Sequence, residues 1–352
     1  MLVGDPCPSF VVRSSNTAAF KFDTAAGRWL ALTFIPGMGD ERAAAIAPGL
    51  AASPLFDDSH AGLFFVSADS ADEEANRLPL RTPGVRAFWD FDRSVAGQFA
   101  VKQDEVVTAV ISPRLQVVSM VREADPARHA KTVLDILAAV PKADALPPML
   151  AHAPILVIPS VFEPEFCRML IEGYEKNGGR ESGFMREIDG KTVEVKDRSH
   201  KVRSDWTIED DKITRAIQTR FMRRVIPEIK KAYQFDVTRM ERYIVACYAA
   251  EDGGHFRAHR DNTTKGTAHR RFAVSVNLNA DEYEGGDLRF PEFGSRTYRA
   301  PTGGGVVFSC SLLHEATQVT SGRRYAFLPF LYDEAAKKIR EANMAFVQNA
   351  TN

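Results

Sequence analysis

The chain has 352 residues, of which 45% are hydrophobic and 26% are charged, and this ordinary composition excludes a disordered or fibrous protein. Because a domain has about 150 residues, the length predicts two domains, each with its own core. The 45 basic residues nearly balance the 46 acidic ones, and the net charge of −1 gives no support for a nucleic-acid partner or an anionic membrane surface.

The apolar segments are too short to span a membrane. Leu30 to Pro36 is among the longest, and it falls far below the roughly 18 residues that a spanning helix needs. The first residues, MLVGD, contain no basic region followed by an apolar stretch, so we expect no secretory signal and a cytoplasmic location. Four widely spaced cysteines without a Cys-x-x-Cys motif favour free thiols over disulfides or a zinc site.

The first 140 residues alternate strand patterns with helix patterns. Runs rich in valine, leucine, isoleucine and phenylalanine predict strands at Trp29 to Ile35, Gly62 to Ser67, Val106 to Ile111 and Gln116 to Val121. Asp125-Pro126 is typical of a helix start, because the aspartate can cap the helix and proline suits its first turn. This alternation predicts an α/β domain with a central, mostly parallel sheet.

A proline-rich segment marks the domain boundary. Residues 141–154 contain four prolines and show no sustained periodicity. We therefore predict a first domain over residues 1–142, a linker over 143–154 and a second domain over 155–352.

The second domain begins with helices and continues as strands. One helix is predicted to start at Pro164, and Ile213, Ile217 and Phe221 share one face of another, which Pro227 is expected to end or kink. After it come short β-rich runs separated by glycine-rich turns: Arg242 to Tyr248, Phe272 to Leu278, Gly286 to Phe290, Gly305 to Ser309 and Tyr325 to Leu331. This pattern predicts a β-sandwich or jelly roll with flanking helices.

Two histidines and one aspartate form a candidate metal site. His259 and Asp261 are two residues apart, so on a strand both side chains would point to the same face. His314 follows a glycine-rich turn and an apolar strand, and we expect it to lie in a polar turn. Two histidines and a carboxylate are the facial triad of non-haem Fe(II) oxygenases. Ten residues after His314, Arg324 enters the last apolar strand, where a guanidinium can bind a carboxylate at two points.

These residues resemble the 2-oxoglutarate- and Fe(II)-dependent dioxygenases, in particular the prolyl 4-hydroxylase branch. The similarity covers about residues 154–335 and includes Val245-Ala-Cys-Tyr248, Asn277-Leu-Asn and Tyr283-Glu-Gly-Gly-Asp-Leu. The resemblance implies a double-stranded β-helix fold for the second domain. It also implies Fe(II) and 2-oxoglutarate as cofactor and cosubstrate, dioxygen as oxidant and ascorbate as a candidate reductant.

The resemblance also implies roles for individual residues. His259, Asp261 and His314 are the implied iron ligands and the implied catalytic centre, and Arg324 is the implied partner of the distal carboxylate of 2-oxoglutarate. Tyr248 resembles a tyrosine near that cosubstrate. Asn277 stands where many relatives have a tyrosine that assists the arginine, which is a departure from the pattern.

The polar segment from Arg180 to Asp211 is predicted to be a loop that covers the site or is simply solvated. In the resembled family such a segment precedes the core and can act as a lid, so Arg203 and Trp206 are candidate substrate contacts. The substrate itself stays open between a protein, a peptide and an amino-acid-like small molecule, and a homodimer stays open as well.

The first domain resembles the peroxiredoxin branch of thioredoxin-like folds over about residues 1–140. The resemblance depends on Gly4-Asp-Pro-Cys-Pro-Ser-Phe10, the strand ending at Pro36 and Phe88-Trp-Asp-Phe-Asp92. After Pro36, where relatives carry the peroxidatic cysteine, this chain has Gly-Met-Gly-Asp-Glu-Arg42. Peroxide reduction needs an activated thiolate, so we expect a non-catalytic domain used for docking, substrate presentation or dimerisation.

The sequence therefore predicts a dioxygenase of prolyl-hydroxylase type that hydroxylates an aliphatic C–H bond and converts 2-oxoglutarate to succinate. Two alternatives stay open. One is a thiol peroxidase that uses Cys7. The other is a sensor or docking protein that binds iron and 2-oxoglutarate with little turnover.

Overall fold

The structure is a computed structural model that describes residues 1–142 and 152–347. Most of the predicted linker, residues 143–151, lies outside the described residues. The chain divides into two compact units, one of Met1–His152 with Pro291–Arg296 and one of Ala153–Phe290 with Thr297–Asn352. Within the described ranges, no helix combines the length and apolar character needed to cross a lipid bilayer.

The first unit contains strands and helices in alternation after an N-terminal hairpin. Its strands are Val11–Ser14 (β1), Thr17–Lys21 (β2), Trp29–Ile35 (β3), Ala61–Ser67 (β4), Val85–Trp89 (β5), Val107–Ile111 (β6) and Val117–Val121 (β7). Its helices are Glu41–Ala51 (α1), Ser70–Glu74 (α2), Ser94–Gln98 (α3) and Pro126–Ala139 (α4). The strands predicted near residues 29–35, 62–67, 106–111 and 116–121 are all confirmed.

The sheet of this unit is mixed. Its order is β2-β1-β5-β4-β3-β6-β7, and only β3, β4 and β5 run parallel to one another, so the prediction of a mostly parallel sheet is wrong. The periodicity of a buried strand does not reveal its direction, because parallel and antiparallel central strands can both be apolar on each face. Every residue of β3 and β4 is buried, and α4 begins where predicted, with the Asp125 carboxylate accepting from the Arg128 backbone N–H at 2.8 Å.

The second unit contains four α-helices and seventeen strands within residues 152–347. Its helices are Pro164–Asn177 (α5), Asp211–Arg224 (α6), Ile226–Tyr233 (α7) and Glu334–Asn343 (α8). Its strands are Leu156–Ile158 (β8), Arg180–Glu181 (β9), Phe184–Ile188 (β10), Lys191–Val195 (β11), Lys201–Val202 (β12), Ser204–Thr207 (β13), Arg239–Glu241 (β14), Ile244–Ala249 (β15), His255–His259 (β16), Phe272–Asn277 (β17), Tyr283–Gly285 (β18), Leu288–Arg289 (β19), Thr297–Tyr298 (β20), Gly305–Ser309 (β21), His314–Ala316 (β22), Val319–Phe327 (β23) and Phe330–Tyr332 (β24).

These strands form two antiparallel sheets and a separate hairpin. The larger sheet follows the order β14-β24-β17-β23-β15-β13-β9, with β18, β21 and β8 attached, and the smaller follows β12-β16-β22-β19-β20. A cluster of buried side chains from both sheets, including Ala246, Tyr248, Phe256, Ala316 and Val319, fills the space between them. The prediction of a jelly roll with flanking helices is confirmed.

Alternation along β15 separates an inner face from an outer face. Ala246 and Tyr248 point into the cluster between the sheets, whereas Val245 and Cys247 pack in the outer core, to which the buried side chains of α5 and α6 also belong. Successive residues of a strand point to opposite faces, so this alternation decides which side chains of neighbouring strands can reach the site.

The polar segment before the core is more regular than predicted. Residues 180–211 contain β9 to β13, and β10 pairs with β11 in an antiparallel hairpin of its own. The prediction of a simple loop is wrong because backbone pairing, rather than a hydrophobic pattern, organises these strands. The helix predicted around residues 213–225 is confirmed as α6, and Pro227 lies in the first turn of the next helix.

Candidate metal centre

The two histidines of the triad lie opposite each other on paired strands. His259 is the last residue of β16 and His314 the first of β22, and the two are cross-strand partners. The expectation that His314 lies in a polar turn is therefore wrong. Asp261 is not on the strand as expected, because β16 ends two residues before it; its backbone N–H instead donates to the Cys310 carbonyl at 3.0 Å.

The three side chains converge on one point. His259 Nε2 lies 3.6 Å from Asp261 Oδ1, and His314 Nε2 lies 3.4 Å from Asp261 Oδ2. One ligand atom from each residue lies within 4.8 Å of the others. Neighbouring ligands about 2.1 Å from an octahedral ion lie about 3 Å apart, so this spacing suits a divalent ion.

Backbone carbonyls fix which imidazole nitrogen faces the centre. The carbonyl of Arg257 lies 2.7 Å from His259 Nδ1, and that of Leu312 lies 3.0 Å from His314 Nδ1. Because a carbonyl only accepts, both Nδ1 atoms must carry the proton, which leaves a lone pair on each Nε2. This tautomer is the one that a metal ligand needs.

The electrostatics of the centre favour neutral imidazole beside ionised carboxylate. Burial, followed by the neighbouring His314, lowers the pKa of His259 to about 4. Burial alone would raise the pKa of the Asp261 carboxyl, but His314, His259 and Arg270 together hold it well below its usual value. Around neutral pH His259 therefore offers a lone pair and Asp261 a negative charge.

Aromatic rings surround the two histidines. Phe256 stacks on His259 with ring centroids 3.5 Å apart, and Phe308 lies 4.6 Å from His314. Phe290 lies 6.3 Å from the same ring. These apolar walls restrict water to the open side of the centre.

Arg324 is a buried cation with no anionic partner among the described residues. Its side chain lies opposite Tyr248 on the neighbouring strand, 5.3 Å from that ring, and the residue is only 2% exposed. It donates to Ser275 Oγ at 2.8 Å and Asn277 Oδ1 at 3.4 Å, both neutral, and its Nε has no partner. A buried charge without a counterion is costly, so this arrangement is suited to an anionic ligand.

Tyr283 is a second buried hydrogen-bond donor, next to Arg324, and the sequence analysis did not identify it. Its hydroxyl has no hydrogen-bond partner in the described residues, and the residue is 4% exposed. Burial raises the pKa of its phenol while the charge of Arg324 opposes that rise, so the two side chains are close and the hydroxyl stays protonated. Gly286 lies next to both side chains, since a Cβ added to it would lie 3.2 Å from Arg324 Cδ and 3.5 Å from the Tyr283 ring.

The two predicted substrate contacts point to opposite faces of the larger sheet, Arg203 from the residue before β13 and Trp206 from β13 itself. Arg203 is buried, and its three guanidinium nitrogens contact Asp205, Ser182 and Tyr248 Oη. The Trp206 ring lies against α5, since a Cβ added to Gly173 would approach it to 2.5 Å. Arg203 is therefore placed to hold Tyr248, and Trp206 is placed in the outer core, so neither has a free surface toward the triad.

Asn277 is within the predicted cosubstrate region. Its Nδ2 donates to the Ala300 carbonyl at 2.7 Å, which turns Oδ1 toward Arg324. The Asn277 carbonyl oxygen thus helps to orient the arginine.

In the first unit, Cys7 has the properties of an inert thiol. Burial raises the pKa of Cys7 to about 12, so very little thiolate exists near neutral pH. We expect Cys7→Ser to leave the rate of hydrogen peroxide consumption unchanged, because a protonated thiol is a poor nucleophile. A stopped-flow peroxide assay checks this, and a rate lost in the variant would support the thiol-peroxidase alternative.

Known proteins resemble the two units separately. Residues 243–332 match the model of the 2OG-Fe(II) oxygenase superfamily. A PKHD-type hydroxylase of Cupriavidus metallidurans is 39% identical over 85 residues, which covers 22% of this chain and 37% of the relative. The match thus spans little more than a third of that relative's length.

Two solved structures are similar in fold. A prolyl hydroxylase from Trichoplax adhaerens, in complex with a peptide fragment of hypoxia inducible factor, has 16% identity over 55% of this chain and 89% of its own, with a TM-score of 0.41. Peroxiredoxin Q of Xanthomonas campestris has 26% identity over 37% of this chain and 90% of its own, with a TM-score of 0.33.

Proposed function

Because the C-terminal unit of this chain is a 2OG-Fe(II) oxygenase domain, we propose that the protein is a hydroxylase that uses Fe(II), 2-oxoglutarate and dioxygen. Its proposed reaction is hydroxylation of an aliphatic C–H bond of a prolyl or other amino-acid residue. The observation that carries this proposal is the convergence of His259, Asp261 and His314 between the two sheets. The similarity to a PKHD-type hydroxylase supports the reaction class.

His259, Asp261 and His314 would hold the iron. Their donor set suits it, since two imidazole nitrogens and one carboxylate leave about three positions of an octahedral ion open. Bound iron and 2-oxoglutarate would supply the oxidising chemistry with dioxygen as the oxidant, and the cosubstrate would leave as succinate and carbon dioxide. The chain supplies ligand orientation through the carbonyls of Arg257 and Leu312.

Arg324 would bind the distal carboxylate of 2-oxoglutarate. The guanidinium has an unused N–H and no anionic partner in the described residues, and the free hydroxyl of Tyr283 adds a second donor. Two convergent donors and a positive charge match a carboxylate. Tyr248, held by Arg203 at 3.3 Å, contacts Arg324 and belongs to the same buried cluster as the Phe256 ring that stacks on His259.

The first unit has no proposed catalytic role. It retains a peroxiredoxin-like sheet, and Cys7 is the one cysteine among its described residues. Docking, substrate presentation and dimerisation are the functions we propose for it.

Anaerobic titration with Fe(II) and 2-oxoglutarate tests the proposed function. We expect a weak visible charge-transfer band from the chelated cosubstrate, followed by succinate release when oxygen and substrate are admitted. A band without succinate release across a panel of peptides and free amino acids would favour the sensor alternative. No band at saturating iron would contradict the assignment of the centre.

Tyr283→Phe is expected to weaken 2-oxoglutarate binding about tenfold, because it removes one hydrogen bond to a charged group. The dissociation constant is read from the anaerobic charge-transfer titration. Tyr243→Phe is the matched control, since the Tyr243 hydroxyl accepts from Gln218 on the helix side of the sheet at 2.7 Å. Equal affinity in wild type and Tyr283→Phe would remove Tyr283 from the cosubstrate site.

A further inference from the structure

Three basic side chains surround the carboxylate of Asp205 next to Tyr248. Lys201 begins β12, Arg203 lies between β12 and β13, and Arg242 follows β14. The Asp205 carboxylate acts on the charge of Lys201. We call these four residues the cation cluster. Asp205 pairs across the sheet with Ala246, an inner-face residue, so the cluster lies on the side of the sheet that faces the metal centre.

The charges within the cation cluster do not balance. Asp205 accepts two hydrogen bonds from Arg203, both of 2.7 Å, and one from Arg242 at 3.2 Å. Lys201 is 4% exposed and donates to Ser182 Oγ and the Gly183 carbonyl, which are neutral. Burial lowers the pKa of Lys201 well below its usual value, and Glu194 acts on it as a second, more weakly coupled carboxylate. The guanidinium groups of Arg203 and Arg242 therefore share the one carboxylate of Asp205, and burial of such an excess is unfavourable unless an anion joins it.

Arg242 is the member that an incoming group can reach. Its side chain is 30% exposed, whereas that of Arg203 is 3% exposed. In the described residues Asp205 is the one carboxylate within 4 Å of Arg242, and its geometry already favours Arg203. Burial, followed by the repulsion of Arg203, lowers the pKa of Arg242 to about 10, which agrees with an under-compensated charge.

A chain of side-chain contacts connects Arg242 to the metal triad. Its guanidinium is 5.5 Å from the Phe330 ring, and that of Arg270 lies 3.9 Å from the same ring. Arg270 in turn donates to the backbone carbonyl of Asp261 at 3.5 Å. Glu241 does not neutralise Arg242, because it accepts from His269 and Arg270 at 2.9 Å each.

We propose that the molecule hydroxylated at this site carries an oxyanion, either a carboxylate or a phosphate, that binds the guanidinium of Arg242. The inference rests on the proposed function and narrows its substrate to acidic molecules. The proposed binding group for the substrate, Arg242, is separate from Arg324, whose unpaired donors are assigned to 2-oxoglutarate. A guanidinium beside the centre would fix one end of the substrate and so orient the C–H bond to be hydroxylated.

The test measures anion binding without turnover. The full chain is loaded anaerobically with Fe(II) and saturating 2-oxoglutarate, and its melting temperature is followed as potassium acetate, inorganic phosphate or neutral acetamide is added at constant ionic strength. A ligand that binds only the folded protein raises the melting temperature. We expect saturable rises with acetate or phosphate and none with acetamide.

Variants locate the anion. Arg242→Gln is expected to raise the half-saturating acetate concentration at least about tenfold, because a charge-assisted hydrogen bond is lost. Arg239→Gln is the matched control, since Arg239 is exposed and pairs with Glu334 at 2.7 Å on the surface. If Arg242→Gln does not fold, the wild-type protein alone tests whether an oxyanion binds. Equal melting temperatures in acetate and acetamide would then contradict the inference.

Each outcome separates this inference from the proposed function. Without a charge-transfer band in wild type, the proposed function fails and this inference fails with it. A normal band with no acetate or phosphate effect, or with an effect equal in Arg242→Gln and Arg239→Gln, overturns the inference alone. Loss of the band as acetate rises would mean that the anion displaces 2-oxoglutarate, and this also overturns it.

Discussion

His259→Ala is expected to abolish the charge-transfer band of Fe(II) with 2-oxoglutarate and to weaken iron binding by at least about 100-fold, since loss of supporting contacts alone costs a metal site 10- to 100-fold. The physical reason is that the triad provides three ligands, and removing one leaves a pair that cannot define the face of an octahedral ion. Anaerobic iron titration by calorimetry and visible absorbance measures both effects.

His255→Ala is the control for that substitution. His255 lies on the same strand, four residues earlier, and its Nδ1 contacts the Gly253 carbonyl at 2.7 Å. It is not part of the converging group, so its variant is expected to bind iron normally. A band that survives in His259→Ala, or that disappears equally in both variants, would refute the metal centre.

Arg324→Ala is expected to weaken 2-oxoglutarate binding by about 30-fold or more while iron affinity changes little. Truncating a buried, hydrogen-bonded charge partner costs about 2 kcal/mol or more, and here the partner is the distal carboxylate of the ligand. The measurement is the 2-oxoglutarate dependence of the charge-transfer band at saturating Fe(II), with iron affinity determined separately.

Two further variants make the Arg324 experiment specific. Arg323→Ala changes the preceding residue, whose side chain is 51% exposed and pairs with Glu251, and we expect unchanged affinity. Arg324→Met keeps the bulk but removes the buried charge, so the melting temperature without 2-oxoglutarate is expected to stay the same or rise. A marked fall in that melting temperature would indicate that Arg324 serves the fold rather than the ligand.

Local sequence patterns determined much of the architecture. The strand over Trp29–Ile35 and the helix from Pro126 are confirmed because apolar periodicity and capping act within a few residues. The members of the converging triad were also predictable, since their spacing and residue types carry the signal. Whether neighbouring strands run parallel or antiparallel was not predictable, because buried strands of either direction have the same composition. The mixed sheet of the first unit is the example.

The tertiary structure alone decided which side chains meet. Asp261 reaches the centre from beyond the end of its strand, and Arg203 and Trp206 are separated because they point to opposite faces. The free hydroxyl of Tyr283 near Arg324 has no sequence signal, since an unsatisfied buried donor is defined by all of its neighbours. Sequence spacing thus fixes the chemistry available along the chain, whereas strand pairing and burial determine which groups share one site and which charges lack a partner.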